Sequence, residues 1–325
     1  MKKNLKLIAV TGPTATGKTA LAVKLAEFFD GEIISLDSRQ LYRYMDIGSG
    51  KDIAEYGNVP YHLIDIAHPS ETVDLTQVIR LIQKAIDDIS SRNKNIFLCG
   101  GTALYLESLL KRRTPDFYEI DIELRTNLDK LSLDELTLLI RSEFPSAWAE
   151  LNCDDRVNPL RIKRKIENAM HNQNSTSQPA VPPWQDFEIL TLGVYFPRQQ
   201  VRENIRRRLD ARFDCGMIDE IRKIHDIEGV SWEKLERFGL EYREISRFLQ
   251  GKCSENEMRT ELLNKIRQFA KRQDIFFRKI ERENFPIHWL DARENIFENA
   301  KTLVNMFLEN KTLPQVQFKL SDIKN

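Results

Sequence analysis

Eight residues near the start of the chain, Gly12-Pro13-Thr14-Ala15-Thr16-Gly17-Lys18-Thr19, have the types and spacing to hold linked phosphates. They fit the pattern G-x-x-x-x-G-K-S/T. The glycines let the backbone curl until successive N–H groups converge on phosphate oxygens. A helix starting at the end of such a loop adds its positive N-terminus. Lys18 supplies a mobile positive charge, and the Thr19 hydroxyl is a candidate Mg²⁺ ligand. The plainer alternative is an ordinary glycine turn. The loop does not name its phosphate ester: ATP, GTP, a shikimate-type kinase substrate and an isoprenyl diphosphate all present two linked phosphates.

Three further residues stand where ligands bind in open α/β sheets, just past the carboxyl end of a strand. Asp37 follows an apolar run, in Ser35-Leu36-Asp37-Ser38-Arg39-Gln40. A carboxylate there serves as a general base, as a metal ligand, or only as a turn or N-cap residue. Asp65 ends the run His62-Leu63-Ile64, which makes it a metal-holding acid or a turn residue. Thr102 follows Gly100-Gly101, which places it either toward the phosphates or at the opening of a helix.

The elements needed to position these residues are legible as patterns. Residues 7–10 (Leu-Ile-Ala-Val) form a compact apolar run suited to a strand buried on both faces. Ala20, Leu21, Val23, Leu25 and Phe28 then recur at helical spacing. Residues 32–35, 61–66 and 95–99 read as further strands, with an amphipathic helix over 78–89. From about residue 111 the strand signals vanish. Residues 122–140 read as helical and 156–170 as a basic amphipathic helix, followed by a polar, proline-containing loop over 173–183. A strand returns at 188–195, a long helix opens at Pro197-Arg198, and 287–290 is a last strand. The alternation predicts an α/β fold, a P-loop NTPase-like parallel sheet with helices on both faces and an all-helical insertion domain. The expected boundaries are 1–110 and 188–310 for the core, 111–187 for the insertion and 311–325 for a tail.

Bulk properties set limits. With 325 residues, 41% of them hydrophobic, the chain builds a large core. Lys plus Arg equals Asp plus Glu, 49 against 49, so any nucleic-acid contact must come from local patches. Cys99, Cys153, Cys215 and Cys253 form no C-x-x-C pair and read as free, buried thiols, not as a zinc site. No apolar stretch approaches a membrane span, and the apolar run at 5–10 is too short for a signal peptide. A cytoplasmic monomer with no membrane partner is the expectation.

Seven blocks occur in order: GPTATGKT, SLDSRQLYRYMDIGSGKD, YHLIDI, CGGTALYLESLL, NPLRIKRKIE, FGLEYREI and RQFAKRQDIFFRK. Through these the chain resembles the bacterial tRNA dimethylallyltransferase family over about residues 6–291. The resemblance implies transfer of a dimethylallyl group from dimethylallyl diphosphate to the N6 amine of adenosine 37, just 3′ of the anticodon, in tRNAs reading codons that start with U. It implies an insertion that grips the tRNA anticodon stem-loop, and Mg²⁺ as cofactor. By matched position, Asp37 is the general base and Thr102 contacts the diphosphate near the bond that breaks. Arg208 joins Gly12, Pro13, Thr14, Ala15, Thr16, Gly17, Lys18 and Thr19 on the diphosphate. Ser38, Arg39, Gln40, Arg125, Arg161, Ile162, Lys163, Arg164 and Lys165 lie beside the tRNA, together with Asp37 and Thr102. Arg39, Tyr44, Asn204 and the run Gly50-Lys51-Asp52 depart from the family's usual residues. Alternatives from the same phosphate chemistry are an isopentenyltransferase acting on free adenine nucleotide and a P-loop small-molecule kinase. A non-enzymatic RNA binder with a vestigial loop is a third.

Two basic stretches bear on the RNA. Arg156, Arg161, Lys163, Arg164 and Lys165 occur without an intervening acid between 156 and 165, and read as an uncompensated, RNA-facing patch. Residues 259–282 hold a second basic stretch interleaved with Phe269, Phe276 and Phe277, which read as core phenylalanines.

Overall fold

The computed structural model describes residues 5–112, 121–174 and 187–323. The chain runs β1 (Leu5–Thr11), α1 (Lys18–Phe28), β2 (Gly31–Ser35), β3 (Tyr61–His62), α2 (Leu75–Ser91), β4 (Asn95–Cys99) and α3 (Ala103–Leu110). A helical segment follows: α4 (Ile122–Asp129), α5 (Leu133–Glu143), α6 (Pro145–Ala149), α7 (Cys153–Arg156) and α8 (Pro159–Asn174). Then come β5 (Phe187–Tyr195), α9 (Arg198–Asp214), α10 (Met217–Asp226), α11 (Trp232–Leu235), α12 (Leu240–Leu249), α13 (Glu255–Arg282), β6 (His288–Asp291) and α14 (Ile296–Leu308). The chain divides into two compact units, with 114–182 set apart from the rest.

The larger unit is built on six strands in the order β3-β2-β4-β1-β5-β6, every neighbouring pair parallel. β1 lies inside the sheet, and Leu7, Ile8, Ala9 and Val10 are each at most 1% exposed, as the unbroken apolar run requires. Ile8, Val10, Leu192 and Val194 share one core with Leu21 and Leu25 of α1 and with Val304 and Phe307 of α14. α2 packs against β2 and β4.

Register decides the site. Val10 is aligned with Cys99, and Cys99 with Ser35. The three chains leaving these strands therefore emerge side by side, at the carboxyl edge where ligands bind in such sheets. One is the loop 12–19, one leads through Leu36 to Asp37, and one is Gly100-Gly101-Thr102.

Several expected elements are shorter or divided. The strand expected over 61–66 is paired only at Tyr61 and His62; Leu63 and Asp65 adopt positive φ (63° and 58°), which ends the pairing. The stretch expected to be helical over 122–140 is so, as two helices, because Ser132 and Glu135 form a capping box that starts α5 afresh. The helix expected over 156–170 is also divided: Asn158 Oδ1 accepts the N–H groups of Leu160 and Arg161, and Pro159 opens α8. The polar loop expected at 173–183 lies outside the described residues from 175 onward.

The helical unit has its own core. Leu128, Leu136, Ile140, Phe144, Leu151, Ile162 and Ile166 are buried together.

Candidate active site

The loop 12–19 holds the curled shape that its residue types suggest. Gly12 (φ 148°), Ala15 (φ 62°) and Gly17 (φ 79°) turn the backbone, and Gly17 caps the first turn of α1. Gly12 admits no side chain, since a Cβ there would lie 2.8 Å from the Val194 carbonyl oxygen. Inside the loop the Thr16 hydroxyl donates to the Pro13 carbonyl at 2.8 Å. Two residues from distant helices hold it from outside. Asn204 on α9 donates to the Ala15 carbonyl (3.2 Å), and Gln273 on α13 accepts from the Thr14 N–H (2.9 Å).

Beside the loop lies a cavity of about 440 Å³. Lys18 and Thr19 line it from the loop, Asp37, Ser38, Arg39 and Gln40 from the chain after β2, and Gly101 and Thr102 from the chain after β4. Asp37 thus faces the same space as the phosphate loop. Its Oδ1 accepts the Arg39 N–H at 3.0 Å, and among the described residues Oδ2 makes no hydrogen bond. The Thr102 hydroxyl accepts the Ser38 N–H at 3.0 Å, which ties the turn after β4 to the turn after β2. Gln40 is only 8% exposed, and both ends of its amide are engaged within the fold: Oε1 accepts from the Ser35 hydroxyl (2.8 Å) and Nε2 donates to the Gly50 carbonyl (3.1 Å).

The charge around the cavity is unevenly compensated. The Lys18 ammonium makes no hydrogen bond or ion pair among the described residues. Withdrawal from water, together with nearby Arg208 and Arg39, pushes its pKa below the usual ammonium range, against the pull of Cys99 and Asp37. Arg212 is drawn down to about 10, first by burial and then by Arg208. Both arginines crowd Gly50, where any Cβ would collide with their guanidinium groups. Arg208 pairs with Asp52 at 2.8 Å, and Arg39 with the buried Glu241 at 2.7 Å. Burial pushes the Cys99 thiol, beneath the loop, up to about 11. A cationic, poorly solvated floor of this kind favours an anion carrying more than one charge. A second opening of about 800 Å³ shares Lys18, Thr19, Arg208 and Arg212 with the first.

Several sequence expectations are corrected here. Asp65 is no metal-holding acid beside the loop; it pairs with the ammonium of the buried Lys51, which also bonds Asp46 (2.6 Å), and it does not line the cavity. Ile162 is 0% exposed in the helical unit's core, so its side chain makes no RNA contact. The basic stretch around it is not uncompensated. Arg161 pairs with Asp155, Lys163 with Asp129 (2.9 Å), Arg164 with Glu167 (2.7 Å) and Lys165 with Glu150, while Arg125 also reaches Glu167 at 3.0 Å. The compensating acids, Asp129, Glu150, Asp155 and Glu167, lie outside residues 156–165. Of the phenylalanines, Phe277 is core (1% exposed), but Phe269 and Phe276 line the cavity. Of the cysteines only Cys99 is buried. Gln273, Arg212 and Glu241 also line the cavity, with no phosphate-binding motif to mark them. Phe269, Gln273 and Phe276 do recur at helical spacing, i, i+4 and i+7, which is the signal that one face of α13 is shared.

Among the described residues no group of three or more His, Cys, Asp or Glu is placed to hold a metal ion. Mg²⁺ is commonly held by one or two protein oxygens plus substrate phosphates. The Thr19 hydroxyl fits such a minimal role.

A parallel sheet, a phosphate loop at its carboxyl edge and a carboxylate facing that loop across a cavity define a P-loop α/β enzyme. The family model described as IPP transferase matches residues 40–280. A relative named tRNA dimethylallyltransferase 2, from Trichlorobacter lovleyi, is 40% identical over 299 residues, covering 92% of this chain and 96% of its own. The full-length tRNA isopentenylpyrophosphate transferase of Bacillus halodurans superposes with TM-score 0.67 at 29% identity, covering 94% of this chain and 96% of that one. A eukaryotic dimethylallyltransferase acting on tRNA shares the fold with TM-score 0.78 at 22% identity, covering 96% of this chain and 81% of that one. The chain belongs to the IPP transferase family.

Proposed function

We propose that this chain transfers a dimethylallyl group from dimethylallyl diphosphate to the N6 amine of adenosine 37 in tRNA and releases diphosphate. The observation that carries this reading is Asp37 facing the phosphate loop across one cavity, with Lys18 and Arg208 on its floor. The bond that forms is N6–C1 of the allyl group. The bond that breaks is the allylic C1–O to diphosphate, and the amine proton passes to the Asp37 carboxylate. Lys18, Arg208 and the loop amides stabilise the charge that grows on the leaving oxygens. Thr102 stands near the breaking bond. The exocyclic amine is a weak nucleophile, so positioning and proton removal by Asp37 carry much of the rate. The adenine leaves its stack to enter the cavity, where Phe269 and Phe276 help exclude water from a cation-like allyl group. Mg²⁺ held by Thr19 and the diphosphate would add leaving-group neutralisation. Arg125, Arg161, Lys163, Arg164 and Lys165 of the helical unit supply charge for the anticodon stem-loop, and Ser38, Arg39 and Gln40 border the adenine. Among the described residues no helix is long and apolar enough to cross a membrane, which suits the proposed cytoplasmic setting.

Incubation with dimethylallyl diphosphate labelled in the allyl group, Mg²⁺ and tRNA carrying adenine beside the anticodon tests the proposal. Label is expected in the RNA and not in AMP offered as acceptor. Label in AMP alone, or in neither, overturns it.

A further inference from the structure

Gln273 joins the two halves of the site. Its Oε1 accepts the Thr14 N–H of the phosphate loop at 2.9 Å, and its Nε2 donates to the Gly101 carbonyl at 3.1 Å. The residue after Gly101 is Thr102, whose N–H bonds the Leu36 carbonyl (3.1 Å) and whose hydroxyl holds the Ser38 N–H (3.0 Å). Leu36 and Ser38 flank Asp37. A run of hydrogen bonds thus leads from the donor's phosphate loop, through one amide side chain, to the backbone on either side of the base. The side chain is 4% exposed, so both bonds are sheltered from competing water. Gly101 is shaped for it: a Cβ there would lie 3.0 Å from Gln273 Nε2 and 3.7 Å from the Lys18 side chain. A carboxamide both accepts from an N–H and donates to a carbonyl at this reach. A carboxylate keeps the first bond, loses the second and adds a negative charge beside the leaving group, while a thioether loses both.

We infer that Gln273 is a positioning residue for the transfer, setting the spacing between the diphosphate cradle and the Asp37–Thr102 side of the site. It touches neither reacting atom. The Thr14 N–H, engaged by this side chain, holds the loop's curvature and is not one of the amides turned to phosphate. The inference rests on the proposed prenyl transfer, because that reaction needs donor carbon and acceptor nitrogen in register at one moment. Misplacement of about 1 Å in such a geometry lowers rate by about a hundredfold without weakening either substrate's own contacts.

The test compares wild type, Gln273→Met and Gln273→Glu in steady-state transfer, with inorganic diphosphate binding measured separately by calorimetry and folding followed by thermal melting. Gln273→Met is expected to lower kcat by about ten- to a hundredfold, with KM for tRNA and for the donor, and affinity for diphosphate, within about threefold. Gln273→Glu is expected to lose kcat and also to weaken diphosphate, which separates the charge effect from the spacing effect. Gly101→Ala, which presses on the same amide from the other side, should reproduce the kcat-only pattern. Unchanged kcat in Gln273→Met overturns the inference while leaving the proposed reaction intact. So does a loss that appears entirely in KM, or one that tracks loss of the folded fraction in all three variants. Absence of transfer by wild type overturns the reaction itself.

Discussion

Asp37 is a carboxylate with one oxygen engaged by its own turn, through the Arg39 N–H, and the other without a hydrogen bond among the described residues. That division suits a base whose orientation is fixed while one acceptor remains for the substrate. Replacing it with asparagine keeps the shape and removes the basicity, so Asp37→Asn should lower kcat by about a hundred- to ten-thousandfold. The tRNA dissociation constant, measured by filter binding, should stay within a few-fold. Near-normal turnover would remove Asp37 from this role. Lys18→Ala and Arg208→Ala act on the other partner. A hydrogen bond to a charged group contributes about 1.5–3 kcal/mol, so each variant should weaken diphosphate by about ten- to a hundredfold in a calorimetric titration. Arg208 should show the smaller loss, because the free protein already satisfies it with Asp52. Unchanged affinity would dismiss either residue. The loop and Asp37 were legible because each is set by a short run of sequence beside a strand end. Gln273 was not, since its contact to Thr14 spans 259 positions, and the helical spacing it shares with Phe269 and Phe276 marks a common face without naming its partner.

At the scale of elements, charge placement holds the sheet's edge. Glu32 on β2 is 5% exposed and accepts from Arg92 at the end of α2 (2.8 and 3.0 Å), with His62 of β3 at 2.7 Å. Burial pushes its carboxyl up, but the bonds from Arg92 and His62 outweigh that and hold it below the usual carboxylate range. Its contribution to stability is therefore present above the unfolded value, near pH 4.3, and is lost as pH falls through the lower folded value. Urea midpoints should fall more steeply as pH drops below about 4.3 in wild type than in Glu32→Gln, and parallel curves would refute the assignment. The divided helices show what periodicity overlooks. Apolar spacing continues across Ser132 and across Asn158, yet the cap chemistry at each point restarts the helix. The cap residues stand in the sequence, but the apolar pattern runs on through them. Ile162 is the parallel case: it lies inside a basic run but points to the core. Ile162→Ala should cost about 2–5 kcal/mol through its cavity, read as an earlier unfolding transition. A change in RNA affinity at unchanged stability would return it to the surface.

For the molecule as a whole, zero net charge leaves RNA attraction to be made locally, and in the helical unit the cations proposed to meet RNA are already paired. Two of its lysines are sheltered while their partners are not: Lys163 is 14% and Lys165 27% exposed, against 70% for Asp129 and 67% for Glu150. Ion pairs of this kind contribute little net stability, because solvent screens them and both side chains must be held. The carboxylates, in solvent-screened pairs, are therefore weak competitors that an RNA phosphate can displace. It follows that neutralising the acids should strengthen RNA binding. With Asp129→Asn and Glu150→Gln combined, each lysine meets RNA without first giving up a partner, and thermal stability should change little. The tRNA dissociation constant should fall at low salt. If both lysines then add a phosphate contact, the slope of log affinity against log salt should steepen by about 0.7–0.9 for each. Filter binding over a salt series reads both quantities, with Lys163→Ala plus Lys165→Ala as the opposing variant. If neither pair of substitutions moves the slope, these lysines do not meet phosphate, and stem-loop binding by this unit must come from another face.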